Sequence, residues 1–360
     1  MKPVLLVIAG ALMLSLSMLR PATLCAQPAA VSIERVMGPE VPTGRYKHPA
    51  SITELDSGDL YIAYYGGDGE YSPGTAVYGT RLAQGGAAWS EPLVLAKDPF
   101  YSLGNGVVWQ SPGGIVWLFY VIRPGATWST SRIAAKISND GAKSWSDSSM
   151  VTFEQGLMVR SQPLALPGGD ILLPVYRETG EPEFVGPDTC SLFLRFDPET
   201  KQWSESNRVY SRLGNLQPAV AQVDENHLIA YCRRGADYKP RTDGFLVRTE
   251  SRDGGKTWSE GRETAFPNPN AAVDFIRLRS GNLLLVYNDS MSSRTPLTAA
   301  LSTDAGKTFR PAVNIGEGEN SFAYPYAIQT RDGKIRVIYT SDGRSVINMA
   351  VFEERLLLRE

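Results

Sequence analysis

The chain has 360 residues, with 36 basic against 38 acidic side chains and a formal net charge of −2. That balance gives no footprint for polyanionic nucleic acid, and 3 cysteines are too few for a disulfide scaffold or a cysteine-rich zinc site. Beyond the N-terminal leader no stretch approaches the ~18 consecutive apolar residues of a membrane helix, so no integral membrane domain is expected there.

Taken from the N-terminus, residues 1–26 read as a signal peptide, and residues 27–360 as a single domain. Lys2 supplies the positive start, an apolar run extends from Val4 to Leu19, and small residues surround Cys25 and Ala26. The expectation is export, to the periplasm or out of the cell. A retained anchor or lipidation at Cys25 are the alternatives, although Leu24 is large for a lipobox. Cys190 and Cys232 survive cleavage, and their spacing leaves pairing open.

A short strand is predicted over Ser32–Val36, and a repeat follows it. Turn signals recur at Gly58, Gly113, Gly169, Glu225, Gly281 and Gly333, at spacings of 55, 56, 56, 56 and 52 residues. A second register of aromatics, Trp89, Trp145, Trp203, Trp258 and Phe309, is spaced by 56, 58, 55 and 51. After each first turn comes a β-branched and aromatic strand: Leu60–Tyr65, Ile115–Val121, Ile171–Tyr176, Leu228–Cys232, Leu283–Tyr287 and Ile335–Thr340. Both registers predict an all-β, six-bladed β-propeller with four-stranded antiparallel blades. The last unit lacks one strand, which Ser32–Val36 is expected to supply. Pro49, Pro163, Pro218 and Pro325 precede inner strands, whose channel-facing edge tolerates a missing donor.

Three turns share the pattern Ser-x-Asp-x-Gly-x-x-aromatic, at Ser138–Trp145, Ser251–Trp258 and Ser302–Phe309, with decayed copies ending at Trp89 and Trp203. The Asp accepts turn amides, the Gly takes a left-handed conformation and the aromatic packs into the blade, so Asp140, Asp253 and Asp304 are expected to build the fold. These turns resemble the Asp-box of the sialidase (neuraminidase), or BNR-repeat, superfamily. His48-Pro49-Ala50-Ser51, Gly66-Gly67, Asn268-Pro269-Asn270 with Asp274, Arg294-Thr295-Pro296-Leu297 and Tyr324-Pro325 with Ile328-Gln329-Thr330 are similar to a bacterial exo-α-sialidase-like subgroup.

Blade topology puts the first turns and Asp-boxes on one face. The other face, where propeller ligands gather, is expected to carry Arg45, His48, Asp68, Glu70, Arg160, Glu178, Arg233, Arg234, Asp274, Arg294, Tyr324 and Arg344. Arginines from several blades converging on one axis suit a carboxylate, which the guanidinium fork matches; ordinary inter-blade ion pairs are the plain alternative. The resemblance implies a tyrosine nucleophile, three arginines on the substrate carboxylate and a carboxylic acid/base, without metal or other cofactor. Residue by residue it makes Tyr324 the nucleophile, Arg233 and Arg294 two of the arginines and Arg45 the first. Here, however, the family's Arg-Ile-Pro reads Arg45-Tyr46-Lys47-His48-Pro49. Asp68 or Glu70 would be the acid/base, and Glu178 the tyrosine's partner. His227 lies beside a first turn and reads as structural, whereas His48 is equally a ligand or core residue.

The leading function is therefore a secreted glycoside hydrolase that removes a terminal acidic sugar from an acidic glycan. Two others fit the same residues. One is a uronate lyase in which His48 or a tyrosine takes the α-proton. The other is a non-catalytic glycan-binding propeller, with Trp109, Trp128, Tyr71 or Tyr101 stacking on sugars.

Overall fold

Six antiparallel sheets succeed one another along the chain, and each is one of the expected repeats. The computed structural model describes residues 30–181, 184–310 and 312–358; the expected signal peptide, 1–26, lies outside the described residues. Blade 1 comprises Tyr46–Glu54, Leu60–Gly67, Ala76–Leu82 and Leu93–Ala96. Blade 2 runs from Ser102–Gln110 through Val116–Arg123 and Arg132–Ser138 to Ser149–Met150. In blade 3 the inner strand is split into Leu157–Val159 and Leu164–Ala165, both paired with Ile171–Arg177. Blades 4 and 5 begin at Asn215–Gln222 and Asp274–Arg277. Blade 6 takes Ala323–Gln329, Lys334–Ser341 and Val346–Glu353 from the C-terminus and its outer strand, Ser32–Met37, from the N-terminus, so that the two ends of the chain close the ring.

The box aromatics do more than fill their own blades. Each packs on an aromatic of the preceding one: Trp145 on Tyr61, Trp203 on Phe119, Trp258 on Phe193 and Phe309 on Tyr231, with ring centroids 6.4, 6.3, 3.6 and 6.0 Å apart. Such pairs add about 0.5–1.5 kcal/mol each beyond the area they bury. Third-strand arginines make a second inter-blade link by donating to a box carbonyl: Arg81 to Gly141 at 2.5 Å, Arg195 to Gly254 at 3.3 Å and Arg248 to Gly306 at 2.6 Å. At each of the three complete boxes the blade is thus joined to the preceding one by one aromatic and one guanidinium contact, and at Trp203 by the aromatic.

Within a box the aspartate is an acceptor for the turn. Asp253 Oδ1 accepts the backbone N–H of Lys256 (3.1 Å) and Thr257 (2.9 Å) and the Ser251 hydroxyl (2.8 Å), while Oδ2 accepts the Thr257 hydroxyl (2.6 Å). Burial nudges this carboxyl upward, but the Thr257 and Ser251 bonds outweigh it and hold it below the usual range. Its stabilising effect is therefore present above the unfolded Asp value, about 4, and is lost as pH falls through the lower folded value. Asp253→Asn should cost about 1–3 kcal/mol near neutral pH, a gap that closes in acid when denaturant midpoints are compared.

Cys190 and Cys232 are both buried free thiols. His227 Nε2 donates to the Glu250 carboxylate at 3.0 Å beside its hairpin turn, away from the channel mouth, as a structural contact. Among the described residues no helix is long and apolar enough to cross a membrane.

Candidate active site

An irregularity repeated around the ring builds the mouth of the channel. The inner strands of blades 1, 2, 4 and 6 each slip register near their start, between His48 and Ala50, Gly104 and Val107, Leu216 and Ala219, and Ala323 and Tyr326. At three of these bulges a non-glycine residue is left-handed: Asn105 (φ 40°), Gln217 (φ 54°) and Tyr324 (φ 56°). Such backbone costs on the order of 1 kcal/mol or more per residue and persists where the surroundings impose it. It takes a side chain out of strand alternation and re-aims it. His48, Gln217 and Tyr324 each precede a proline, which has no N–H to be orphaned by the slip. The four re-aimed side chains line one cavity, walled by Tyr65 and Glu70 of blade 1, Tyr176 and Glu178 of blade 3 and Arg233 of blade 4. A three-stranded sheet of Gly180–Glu181, Phe184–Val185 and Ala236–Asp237 joins blades 3 and 4 at this mouth and is followed by Tyr238, another wall residue.

Tyr324 is 8% exposed, so the partners of its hydroxyl are protein groups. They are Arg233 Nη1 at 3.0 Å and Gln217 Nε2 at 3.3 Å. Both donate. The Gln217 amide is oriented by its own Oε1, which accepts from Arg233 Nη1 at 3.1 Å, so its N–H side faces the phenol. The guanidinium carbons of Arg160 and Arg294 lie 5.5 and 5.6 Å from the ring centroid. Among the described residues no hydrogen-bond acceptor meets the phenol proton. Burial pushes this phenol up, but Arg233 and Arg294 outweigh burial and hold it below the ordinary tyrosine value. An oxygen that only accepts, beside cations, is placed so that its ionised form is favoured.

The carboxylates differ sharply. Glu70 is spent on protein: Oε2 accepts from Arg344 and from the Tyr46 hydroxyl (3.2 Å), and Oε1 from Trp128 Nε1 (3.2 Å). Despite its burial, Arg344 keeps it below its usual value, and it remains ionised. Glu178 makes no side-chain hydrogen bond among the described residues; burial raises it to about 7, with Arg233 opposing and Glu70 reinforcing. Asp274 Oδ2 accepts the Ala327 N–H at 2.5 Å, and burial raises this carboxyl to about 6 against the pull of Arg160.

The arginines divide in the same way. Arg233 is fully engaged, by Asn270 Oδ1 at 2.5 Å and the Tyr238 hydroxyl at 3.1 Å besides Gln217 and Tyr324. Arg344 is neutralised by Glu70. Arg160 donates to the Pro325 carbonyl at 2.5 Å and lies over the rings of Tyr324 and Tyr326. Arg294, by contrast, makes one side-chain hydrogen bond among the described residues, to the Asn270 carbonyl at 3.2 Å, and no ion pair with a described acidic residue. Burial, then Arg344 and Arg233, lower it to about 10, where it is still a cation. An under-partnered guanidinium beside the Tyr324 hydroxyl marks where an anionic ligand group fits.

The BNR repeat-like domain model matches residues 58–337, more than half of the chain. The chain belongs to the BNR repeat-like family. No curated protein sequence matches it. Among solved structures, this BNR repeat-like protein is similar to a Hadza microbial sialidase, at 15% identity and a TM-score of 0.72, over 87% of this chain and 66% of that one, just under two thirds of its length. It is similar also to an intramolecular trans-sialidase from Ruminococcus gnavus (13% identity, 90% of this chain and 98% of that one, TM-score 0.73). A Dyadobacter fermentans protein of unknown function matches as well (17% identity, 89% and 99%, TM-score 0.71). At these identities the likeness establishes the fold, the sialidase-like propeller.

Against that fold, several expected site residues of the BNR repeat-like protein stand elsewhere. Arg45, expected as the first arginine, is exposed, because the inner strand of blade 1 begins one residue later and turns Tyr46 and His48 inward. Lys47, between them, bends back to the Gly44 carbonyl at 2.5 Å. Asp68 is exposed in the loop ahead of Glu70 and does not line the cavity. Strand alternation turns Arg234 away from Arg233, onto the carbonyls of Asn268, Gly235 and Asp237 at 2.8, 2.8 and 2.9 Å. Glu178 enters the cavity but does not bond Tyr324; Gln217 does. Arg160 and Asp274 lie behind Tyr324 and fix the backbone of Pro325 and Ala327. Trp109 opens into a cavity at the opposite end of the channel, while Trp128 is occupied with Glu70.

His48 has a defined tautomer. The Thr340 hydroxyl donates to the Ala323 carbonyl at 3.2 Å and so accepts from His48 Nδ1 at 2.8 Å, leaving Nε2 bare and unpartnered. Burial, with Arg344 and the other arginines, keeps the ring neutral. Its centroid is 4.1 Å from that of Tyr324, edge to face.

Proposed function

We propose that this propeller is a retaining, exo-acting glycoside hydrolase that removes a terminal acidic sugar of the sialic acid class from glycans. The observation that carries this reading is the Tyr324 oxygen, buried and met, among the described residues, only by the donors Arg233 and Gln217. A sugar whose anomeric carbon bears a carboxylate repels a carboxylate nucleophile, whereas a phenolate flanked by guanidiniums can approach it. Arg294 would take the substrate carboxylate and Tyr324 would attack the anomeric carbon. The sialic acid class is carried over from the sialidases that the fold resembles, and exo action from the sequence resemblance to the exo-α-sialidase-like subgroup. With the leader read as a signal peptide, the enzyme would act in the periplasm or outside the cell.

His48 supports a second reading. A neutral imidazole with a bare Nε2 at the blade 1 bulge is a base for the α-proton of a uronate, with Arg294 on the carboxylate. The two reactions differ in product. On the leading reading the purified protein releases free acidic sugar from an aryl α-sialoside and from a sialylated glycoprotein. Inertness towards both, with an ultraviolet-absorbing unsaturated product from uronate polymers, would instead establish the lyase.

A further inference from the structure

Retaining hydrolysis needs a carboxylic acid that protonates the leaving oxygen and then, as carboxylate, draws a proton from water. In the cavity that group must be free of protein partners, and of the two carboxylates that line the cavity among the described residues, Glu70 and Glu178, only Glu178 is. Glu70 is held on three sides by Arg344, Tyr46 and Trp128, Asp68 lies outside the cavity, and Asp274 is committed to the Ala327 N–H. Glu178 is placed firmly: its N–H donates to the Gly156 carbonyl at 2.9 Å, and the preceding Arg177 pairs with Glu154 at 3.0 Å. Gly156, at φ 89°, lies so close beneath that an added Cβ would meet the Glu178 carbonyl oxygen at 2.7 Å, so only glycine fits. The backbone is fixed while the carboxyl is left unbonded on the cavity wall that also carries Tyr324.

We infer that Glu178 of blade 3, rather than a carboxylate of the blade 1 loop, is the acid/base of this site, an inference that rests on the glycosidase reading. As Tyr324 Oη bonds to the anomeric carbon, the glycosidic C–O bond breaks and the Glu178 proton passes to the departing oxygen. Water then attacks the same carbon, its proton returns to Glu178, and Tyr324 leaves as phenolate. The charged and titratable groups facing Glu178 are Arg233, Glu70, Tyr71, Tyr176 and Tyr238. Its raised value, about 7, suits a group that is acid in one step and base in the next.

The test compares wild type, Glu178→Gln and Glu70→Gln on aryl sialosides with good and poor leaving groups. Glu178→Gln should lower turnover of the poor leaving group by about 10²–10⁴-fold and the first step on the good one far less. It should lose the limb of the pH profile that titrates near 7 and regain turnover with azide, yielding the glycosyl azide. Glu70→Gln should keep that limb. Stability gives a readout independent of activity. A carboxyl raised in the folded state binds its proton more tightly there, so wild-type stability falls as pH rises from the unfolded value towards 7, and the Tm of Glu178→Gln should exceed that of wild type progressively over this range. An active wild type with an unchanged leaving-group dependence and pH profile in Glu178→Gln, or loss of the limb in Glu70→Gln instead, would overturn the assignment while sparing the glycosidase. A wild type that hydrolyses no acidic glycoside overturns both.

Discussion

Tyr324→Phe is expected to lower kcat on acidic glycosides by on the order of 10³-fold or more, the scale on which a lost nucleophile is felt. The fold should survive, because the ring keeps its edge-to-face contact with His48 and stays beneath Arg160 and Arg294. What disappears is one oxygen, and with it the acceptor of Arg233 Nη1 and Gln217 Nε2. Arg233 retains Asn270, Gln217 and Tyr238, so the loss of stability should be small beside the loss of rate. The variant also reports on ionisation. The ultraviolet titration of wild type minus Tyr324→Phe should show one tyrosinate forming ahead of the rest, as the two arginines require. A difference spectrum with the ordinary tyrosine midpoint would mean that the donor pair does not hold a phenolate.

Arg294→Ala is expected to have the second-largest effect, about 10²–10³-fold in kcat/KM, the worth of a charge-assisted, bidentate contact with a carboxylate. Because Arg294 gives the protein a single bond to a backbone carbonyl, its removal should leave the Tm unchanged or raise it. Arg233→Ala makes the contrast, since it unties Asn270, Gln217, Tyr238 and Tyr324 together and should destabilise the protein as well as inactivate it. The carboxylate role is checked directly with a substrate whose carboxylate is blocked as an ester. Wild type should discriminate strongly against the ester, and Arg294→Ala should hardly discriminate at all. Equal discrimination by both proteins would place the substrate carboxylate elsewhere.

The repeat was legible because blade architecture is written in short-range chemistry. Turn glycines, box aspartates and strand patterning are local, and the second strand predicted at Leu283–Tyr287 is observed at Leu283–Asn288. The closing strand Ser32–Met37 was equally visible as the piece missing from the last repeat. The site was legible only where a residue keeps one role along the strand. Tyr324, Arg233 and Arg294 stand where their blades put them, but a bulge changes facing by one residue and leaves no mark in an apolar pattern. That slip hid Asn105 and Gln217, and the start of the blade 1 strand at Tyr46 left Arg45 outside. A signal was present in the prolines: His48, Gln217 and Tyr324 all precede one, in register from blade to blade. The fates of Glu70 and Glu178, one tied and one free, depend on Arg344 and Trp128 arriving from other blades, at sequence separations of 274 and 58 for Glu70.

The most direct measurement is to trap the covalent intermediate. The protein is incubated with a fluorinated sialic acid analogue that forms the glycosyl-enzyme but slows its hydrolysis, and its mass and peptides are then read. The expected result is one added glycosyl group per chain, on the peptide that contains Tyr324 and absent from Tyr324→Phe. An active enzyme that carries no adduct, or one that is labelled on any other residue, would contradict the tyrosine nucleophile and the acidic-sugar site built around it.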